Sequence, residues 1–277
     1  MIKVVDNNHL TTCMWRYAKI PRSLSGVLVF LMLCQLHAHA QRNLSGKVGL
    51  IYIPTAEETT DGELVLGYNY NPIDYSLRFN GEKPEQILYA NLSFLPRLDF
   101  TFALLQARVN GKRDKGEALG DRQIDFRYVF MRENSRFPSV ALVMSSPFTI
   151  DAAMGTQALV ATKHLKIADK FMLEGSIGYG SPWYLYRDED NLNNYNIFSK
   201  FTWQRKSEDR YENNYLVGVF GGLKATYDKK YSLMTEWDGE HFNVGAHARL
   251  FKSFGAQAGL LNFDQLTWGF HYGIPLN

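Results

Sequence analysis

Ile124-Asp125-Phe126-Arg127-Tyr128-Val129-Phe130 places a large apolar side chain at every even position and two charges among the three odd ones. Successive side chains of an extended chain point to opposite faces, so this heptapeptide is a strand with one apolar and one largely polar face. The same period of two runs outward in both directions, from about Gly62 to Ile274, with turn residues between the segments. Towards the N-terminus lie Glu63–Tyr70, Gln86–Phe94 and Leu98–Leu104. Towards the C-terminus come Ser139–Ser145, Ala158–Ile167, Phe171–Tyr179, Ile197–Trp203, Leu216–Tyr227, Tyr231–Trp237, Phe242–Phe251, Phe254–Leu261 and Leu266–Ile274. No segment carries a helical i, i+3, i+4, i+7 stripe over eleven residues. The expectation is an all-β chain: a single antiparallel transmembrane β-barrel of about 12 strands, with 10 to 14 as the range. A soluble sandwich has the same alternation. Two features favour the barrel: strands close to the ten residues needed to cross a bilayer at a tilt, and outward aromatics at strand ends (Trp268, Phe270, Tyr272).

Residues 1–40 read as a cleaved signal peptide. Lys19 and Arg22 supply its positive region, Leu24 to Leu36 its apolar region and Ala38-His39-Ala40 the small-x-small site, so cleavage is expected between Ala40 and Gln41. Met14 offers an alternative start. Leu33 stands where a lipobox before Cys34 requires a small residue, which argues against a lipid anchor. Export through the Sec pathway to a Gram-negative outer membrane follows as an expectation.

Both cysteines, Cys13 and Cys34, fall in the presequence. The mature chain therefore offers no disulfide, thiolate metal site or cysteine nucleophile. Removing the presequence takes three net positive charges from the formal +2, leaving about −1. No basic stripe points to nucleic acid. Mean hydropathy is −0.26, too low for helical spans but compatible with strands that are half polar. Residues 41–61 read as an N-terminal linker and 62–277 as the barrel.

No catalytic or cofactor motif emerges, and no cofactor is expected. The mature histidines (His164, His241, His247, His271) make no metal-ligand spacing. Glu236 and Asp238 lie two residues apart on one strand face, roughly 7 Å, a separation at which carboxylates can serve glycoside hydrolysis. Asp238-Gly239 also reads as a hairpin turn, with Glu236 facing the lumen. Alternation assigns Asp99, Asp125, Arg127, Glu174, Lys200, Gln204, Asn243, His247, Arg249 and Gln257 to the lumen, where they either pair and plug it or meet sugar hydroxyls.

The segment Gly49-Leu50-Ile51 to Pro54-Thr55-Ala56, then Asp61-Gly62, resembles the YjbH domain family. So do Ser232 to Gly239 (with Glu236, Asp238 and Gly239), Phe242-Asn243-Val244-Gly245, Gln257 to Leu260 and Trp268 to Tyr272. The resemblance covers most of residues 46 to 277. It implies an outer-membrane β-barrel associated with exopolysaccharide or capsule production, in contact with outer-membrane lipid, with the polymer and a polysaccharide-secretion lipoprotein as partners. It supplies no catalytic residues. The chain departs from the pattern in ending Gly273-Ile274-Pro275-Leu276-Asn277 without a terminal aromatic, and in being short for a family whose larger members carry two barrels. The function expected is a non-enzymatic barrel component of polysaccharide export or surface assembly. Alternatives are a small outer-membrane enzyme on lipid or polysaccharide, and an adhesive barrel binding through Asn110–Arg122, Asp188–Asn196 and Lys206–Asn214.

Overall fold

The computed structural model describes residues 40–77, 83–109, 112–113, 120–147, 155–187, 201–206, 215–251 and 253–276. Their strands in chain order are β1 (Glu63–Asn71), β2 (Glu85–Leu95), β3 (Leu98–Val109), β4 (Lys112–Arg113), β5 (Asp121–Met131), β6 (Ser139–Ser145), β7 (Gln157–Ala168) and β8 (Phe171–Gly180). There follow β9 (Trp183–Arg187), β10 (Phe201–Arg205), β11 (Gly218–Tyr227), β12 (Tyr231–Trp237), β13 (Phe242–Arg249), β14 (Phe254–Leu261) and β15 (Gln265–Pro275).

Twelve of these pair in an antiparallel ring. Each strand is bonded to its neighbour in sequence, with β3 paired to β5 and β8 to β11. The ring closes where β1 meets β15, from Glu63 opposite Pro275 to Tyr70 opposite Trp268. Closure leaves no free sheet edge, which a lipid environment would not tolerate. β4 only extends the end of β3. β9 and β10 form a separate two-stranded hairpin within the connection 181–217.

Side-chain exposure settles which face of the strands is which. Along β5, Asp121, Gln123, Asp125, Arg127 and Val129 are buried, while Tyr128 and Phe130 are 42% and 48% exposed. The polar face thus points into the ring and the apolar face points out, the reverse of a soluble sandwich. Leu66, Leu88, Phe102, Ile177, Leu223 and Leu233 continue the outward apolar belt around the ring. Aromatics rim it at both ends. Phe94, Phe130, Phe171, Tyr227 and Tyr231 lie at one, and Tyr179, Phe242, Phe263 and Trp268 at the other. This is a membrane-spanning barrel.

Its two ends differ. Residues 96–97, 169–170, 228–230, 250–253 and the longer 132–138 connect strands at one end. Connections 72–84, 110–120, 146–156 and 181–217 all lie at the other, with only 238–241 and 262–264 short there.

The strands at Leu216–Tyr227 and Phe242–Phe251 are shorter than the alternation suggests, beginning at Gly218 and ending at Arg249. Leu216 and Gly218 take left-handed backbone (φ 50° and 80°), which turns the chain into β11 rather than extending the strand.

Candidate functional site: a plugged lumen

The segment expected to be a linker is folded inside the ring. Residues 40 to 56 are all buried, and they contact wall residues of β1, β2, β5, β7, β12 and β14, which a chain can do only from within. Two isolated bridges, Arg42 with Val48 and Gly49 with Pro54, fold it into nested loops. Leu44 N–H donates to Ile51 O at 2.8 Å, and Thr55 N–H to Val48 O at 3.0 Å. Asn43 braces the centre: its Nδ2 donates to Tyr52 O at 2.8 Å and its Oδ1 accepts from Lys47 N–H at 2.9 Å.

Tight packing explains why glycine stands at Gly46 and Gly49. Gly46 has φ 83°, and a Cβ there would fall 2.5 Å from the Tyr89 ring on β2. A Cβ on Gly49 would fall 2.2 Å from Ile53 O.

Polar wall side chains hold this plug. The Glu236 carboxylate on β12 accepts from Ile51 N–H at 3.0 Å and Tyr52 N–H at 2.7 Å, and Asn243 donates to it at 3.1 Å. Lys47 meets Asp125 of β5 at 2.8 Å. Arg127 donates to Thr55 O at 3.1 Å and Glu57 O at 2.8 Å, and pairs with Asp99. Asn69 of β1 donates to Asn43 O and Leu44 O, Thr162 of β7 accepts from Ala56 N–H at 2.8 Å, and Arg42 donates to Asn91 of β2 at 3.2 Å. Between these bonds, Leu44, Leu50, Ile51 and Ile53 pack on inward apolar residues such as Val65, Ile87, Leu105, Val143 and Met234.

The lumenal residues expected from alternation fall into three groups. Asp99, Asp125, Arg127, Glu174, Asn243, His247 and Gln257 are buried on the inner face, and Arg249 lies at its short-turn end. Gln204 sits on β10, outside the ring: its segment alternates as a strand should, but its partner is β9 in the same connection. Lys200 lies outside the described residues, as do 188–196, 207–214 and most of 110–119.

Glu236 and Asp238 are neighbours, but not an open carboxylate pair. Asn243 bridges them, donating to Asp238 at 2.9 Å. Asp238 Oδ1 accepts from Glu240 N–H at 2.9 Å and His241 N–H at 2.7 Å, capping a turn in which Gly239 has φ 108°. Glu236 is 2% exposed and faces the plug. Of the motif residues, Gly49 and Pro54 pair within the plug, Leu50 packs in the core, and Ala40 and Gln41 begin the buried segment.

Among the described residues, one group of three metal-capable side chains comes together: Glu57, His164 and Glu174, with ligand atoms within 4.8 Å of one another. The Lys224 ammonium lies 3.0 Å from Glu57 and 2.5 Å from Glu174, so a cation is already built into it. His164 contacts Glu133 at 2.6 Å and Glu174 at 3.4 Å. The cluster ties the end of the plug to β7, β8 and β11.

Two cavities flank the plug. At the long-loop end, one of about 250 Å³ is lined by Tyr52, Tyr75, Tyr215, Asp238 and His241 among others. Tyr52 and Tyr215 meet edge to face there, 5.6 Å between centroids. At the short-turn end, one of about 320 Å³ lies between Gln41, Glu57, Lys229, Lys230, His247 and Arg249.

The plug was missed in the sequence because it does not alternate. Val48-Gly49-Leu50-Ile51-Tyr52-Ile53, apolar apart from one glycine and bounded by Lys47 and Pro54, carried the signal of a segment buried on all sides.

Solved structures similar to the chain include a KdgM porin and an outer membrane channel of the COG4313 group from Pseudomonas putida F1. The first shows 12% identity, covering 75% of this chain and 98% of that one at a TM-score of 0.42. The second shows 14% identity, covering 81% and 99% at 0.40. No curated protein matches. The sequence pattern of the YjbH family, described as exopolysaccharide biosynthesis protein YbjH, matches residues 41–277, plug and barrel together, and the chain belongs to that family.

Proposed function

We propose that this protein is a non-enzymatic outer-membrane component of exopolysaccharide export or surface assembly, with its short-turn end towards the periplasm. The observation that carries the reading is a barrel with a polar inner wall whose lumen is occupied by its own N-terminal segment. Short periplasmic turns and long outer loops are the usual arrangement in such barrels. The family's description supplies the polymer. A polymer crossing this lumen has to displace residues 40–56; one handled at the surface meets the aromatic cavity beside Tyr52 and Tyr215 instead. A hydrolytic role for Glu236 is disfavoured, since backbone N–H groups of the plug already engage its carboxylate.

Deleting the gene should lower surface or secreted polysaccharide, and restoring the full chain should return it. Unchanged polymer in the deletion strain overturns the reading.

A further inference from the structure

At the long-loop end four elements meet around the cavity of about 250 Å³. The plug contributes Tyr52, the connection 72–84 Asp74 and Tyr75, the connection 181–217 Tyr215, and the turn 238–241 Glu240 and His241. The volume lies below the roughly 300 Å³ at which sites for drug-sized ligands begin. It suits one ring of a longer molecule whose remainder stays outside.

The rings on its lining stand in two corners. Tyr75 and His241 meet edge to face, 5.2 Å between centroids at 81°, and Tyr52 and Tyr215 stand at 63° to each other. Their phenols are tied back: Tyr75 donates to Asp264 at 2.9 Å, Tyr215 to Tyr52 O at 3.2 Å, and Tyr52 to Tyr75 O. Rings fixed in this way lose little freedom when a ligand arrives. A pyranose can lay its C–H face on one ring of such a corner and turn its edge to the other, as the electron-rich faces of aromatic rings favour.

The charge on the lining has one sign. Asp74, Asp238 and Glu240 are acidic, and among the described residues no lysine or arginine joins them. Lys47 and Lys206 approach the Tyr215 ring at 5.7 and 5.8 Å, but both are buried and off the lining. Asp238 caps its own turn, Asp74 accepts from Gln265 through one oxygen, and Glu240 is bonded through its backbone N–H rather than its carboxylate. Asp74 and Glu240 are exposed at the rim. The three carboxylates do not close on one another as metal ligands do; among the described residues the group that does so is Glu57, His164 and Glu174. The rim therefore fits a cation with the span of an organic molecule better than a metal ion.

We propose that the long-loop mouth binds an amino-bearing saccharide, with one sugar ring seated against the Tyr75–His241 corner and its ammonium facing Asp74 and Glu240. Ionised carboxylates accept charge-assisted hydrogen bonds from an ammonium, and the same carboxylates repel an acidic sugar. An ammonium also gains from lying over a tyrosine face. That the cation is carried on a sugar rests on the export reading above; the preference for a cation rests on these residues alone.

The test is calorimetric titration of the full chain, folded in detergent, with a chitosan trimer of glucosamine units, cellotriose, trigalacturonic acid and calcium chloride. The chitosan trimer should bind about tenfold more tightly than cellotriose, which carries hydroxyls in place of the amines, and trigalacturonic acid should bind more weakly still. Asp74→Asn and Glu240→Gln should each weaken the chitosan trimer about threefold and leave cellotriose unchanged, the asparagine keeping an acceptor for Gln265. Tyr75→Ala should weaken both trimers, since it removes a ring and no charge. Asp169→Asn/Asp228→Asn, in turns at the opposite end, should change nothing. A heat-dependent gel shift confirms that each variant is folded, and the exposed Glu240 supplies the variant should Tyr75→Ala misfold. Equal binding of cellotriose, no binding of the chitosan trimer, or an equal loss in the Asp169/Asp228 variant overturns the proposal. Calcium binding as tightly as the trimer overturns it in favour of a simple cation site. Polymer lost on gene deletion without chitosan-trimer binding sinks this site and leaves the export reading standing. Binding with polymer unchanged does the reverse.

Discussion

Glu236 concentrates the attachment of the plug in one side chain, because its carboxylate accepts from the N–H groups of two buried plug residues, Ile51 and Tyr52. Truncation to alanine strands those donors, at about 1–3 kcal/mol for each buried group left unpaired. Glu236→Ala should therefore speed tryptic cleavage at Arg42 or Lys47 while the heat-dependent gel shift of the barrel stays; a cleavage rate equal to wild type would contradict the role. Asp125→Ala should act the same way from β5, since it leaves the Lys47 ammonium buried without its partner, a change that costs about 3–5 kcal/mol in buried pairs. The readout is the same cleavage rate, and the expected result is loosening of the plug without loss of the barrel. At this scale parity was enough to place Asp99, Asp125, Arg127, Glu174, Asn243, His247 and Gln257 on the inner face. It could not tell what they would bind. Arg127 meets the plug backbone at Thr55 and Glu57, Asp125 the Lys47 side chain, Gln257 the Gln41 amide and Glu174 the Lys224 ammonium, and nothing in a strand's rhythm names a partner elsewhere in the chain.

The plug is the element on which the functional argument turns, and its attachment is mostly polar. Such contacts are each modest in net free energy and can be exchanged for water, so the segment suits seating and release better than a purely apolar core. The absence of cysteine after residue 40 makes a clean lock available. Ala56→Cys with Thr162→Cys joins the plug to β7 at a point where the backbone N–H of one already reaches the side chain of the other at 2.8 Å. With the bond oxidised, polymer output should fall towards that of the deletion strain, and reduction should restore it. Output unaffected by the lock would show that the polymer does not need the plug to move. The strands themselves were legible as elements because one face meets lipid and the other the polar lumen. The plug was not, since a segment buried on every side keeps no period. β9 escaped for a related reason: its Trp183-Tyr184-Leu185-Tyr186 run mixes faces in a hairpin paired only with β10.

For the molecule as a whole, the apolar side of the strands faces outward, and lipid is what should cover it. Leu233, 69% exposed near the middle of β12, tests this directly. Leu233→Arg should lower the stability of the barrel folded in lipid vesicles by about 2–4 kcal/mol, measured by urea titration. In a water-exposed position the same change would be close to neutral, so a shift near zero argues against the membrane belt. The number of strands was readable from thirteen alternating segments, twelve of which enter the ring. The thirteenth, Ile197–Trp203, contributes only to β10. The closure of β1 on β15 was implied by the need to leave no edge in lipid, although no residue pair in the sequence announces its register.

The central claim is a membrane barrel closed by its own N-terminal segment, and single-channel recording in planar bilayers tests it most directly. The comparison is between the full chain and a variant lacking residues 42–56. The account predicts a nearly silent full chain and clear conductance steps from the shortened one, through a lumen lined by Asp99, Asp125, Arg127, Glu174 and Asn243. Equal conductance from both, or silence from a shortened chain shown to be folded and inserted, would contradict it.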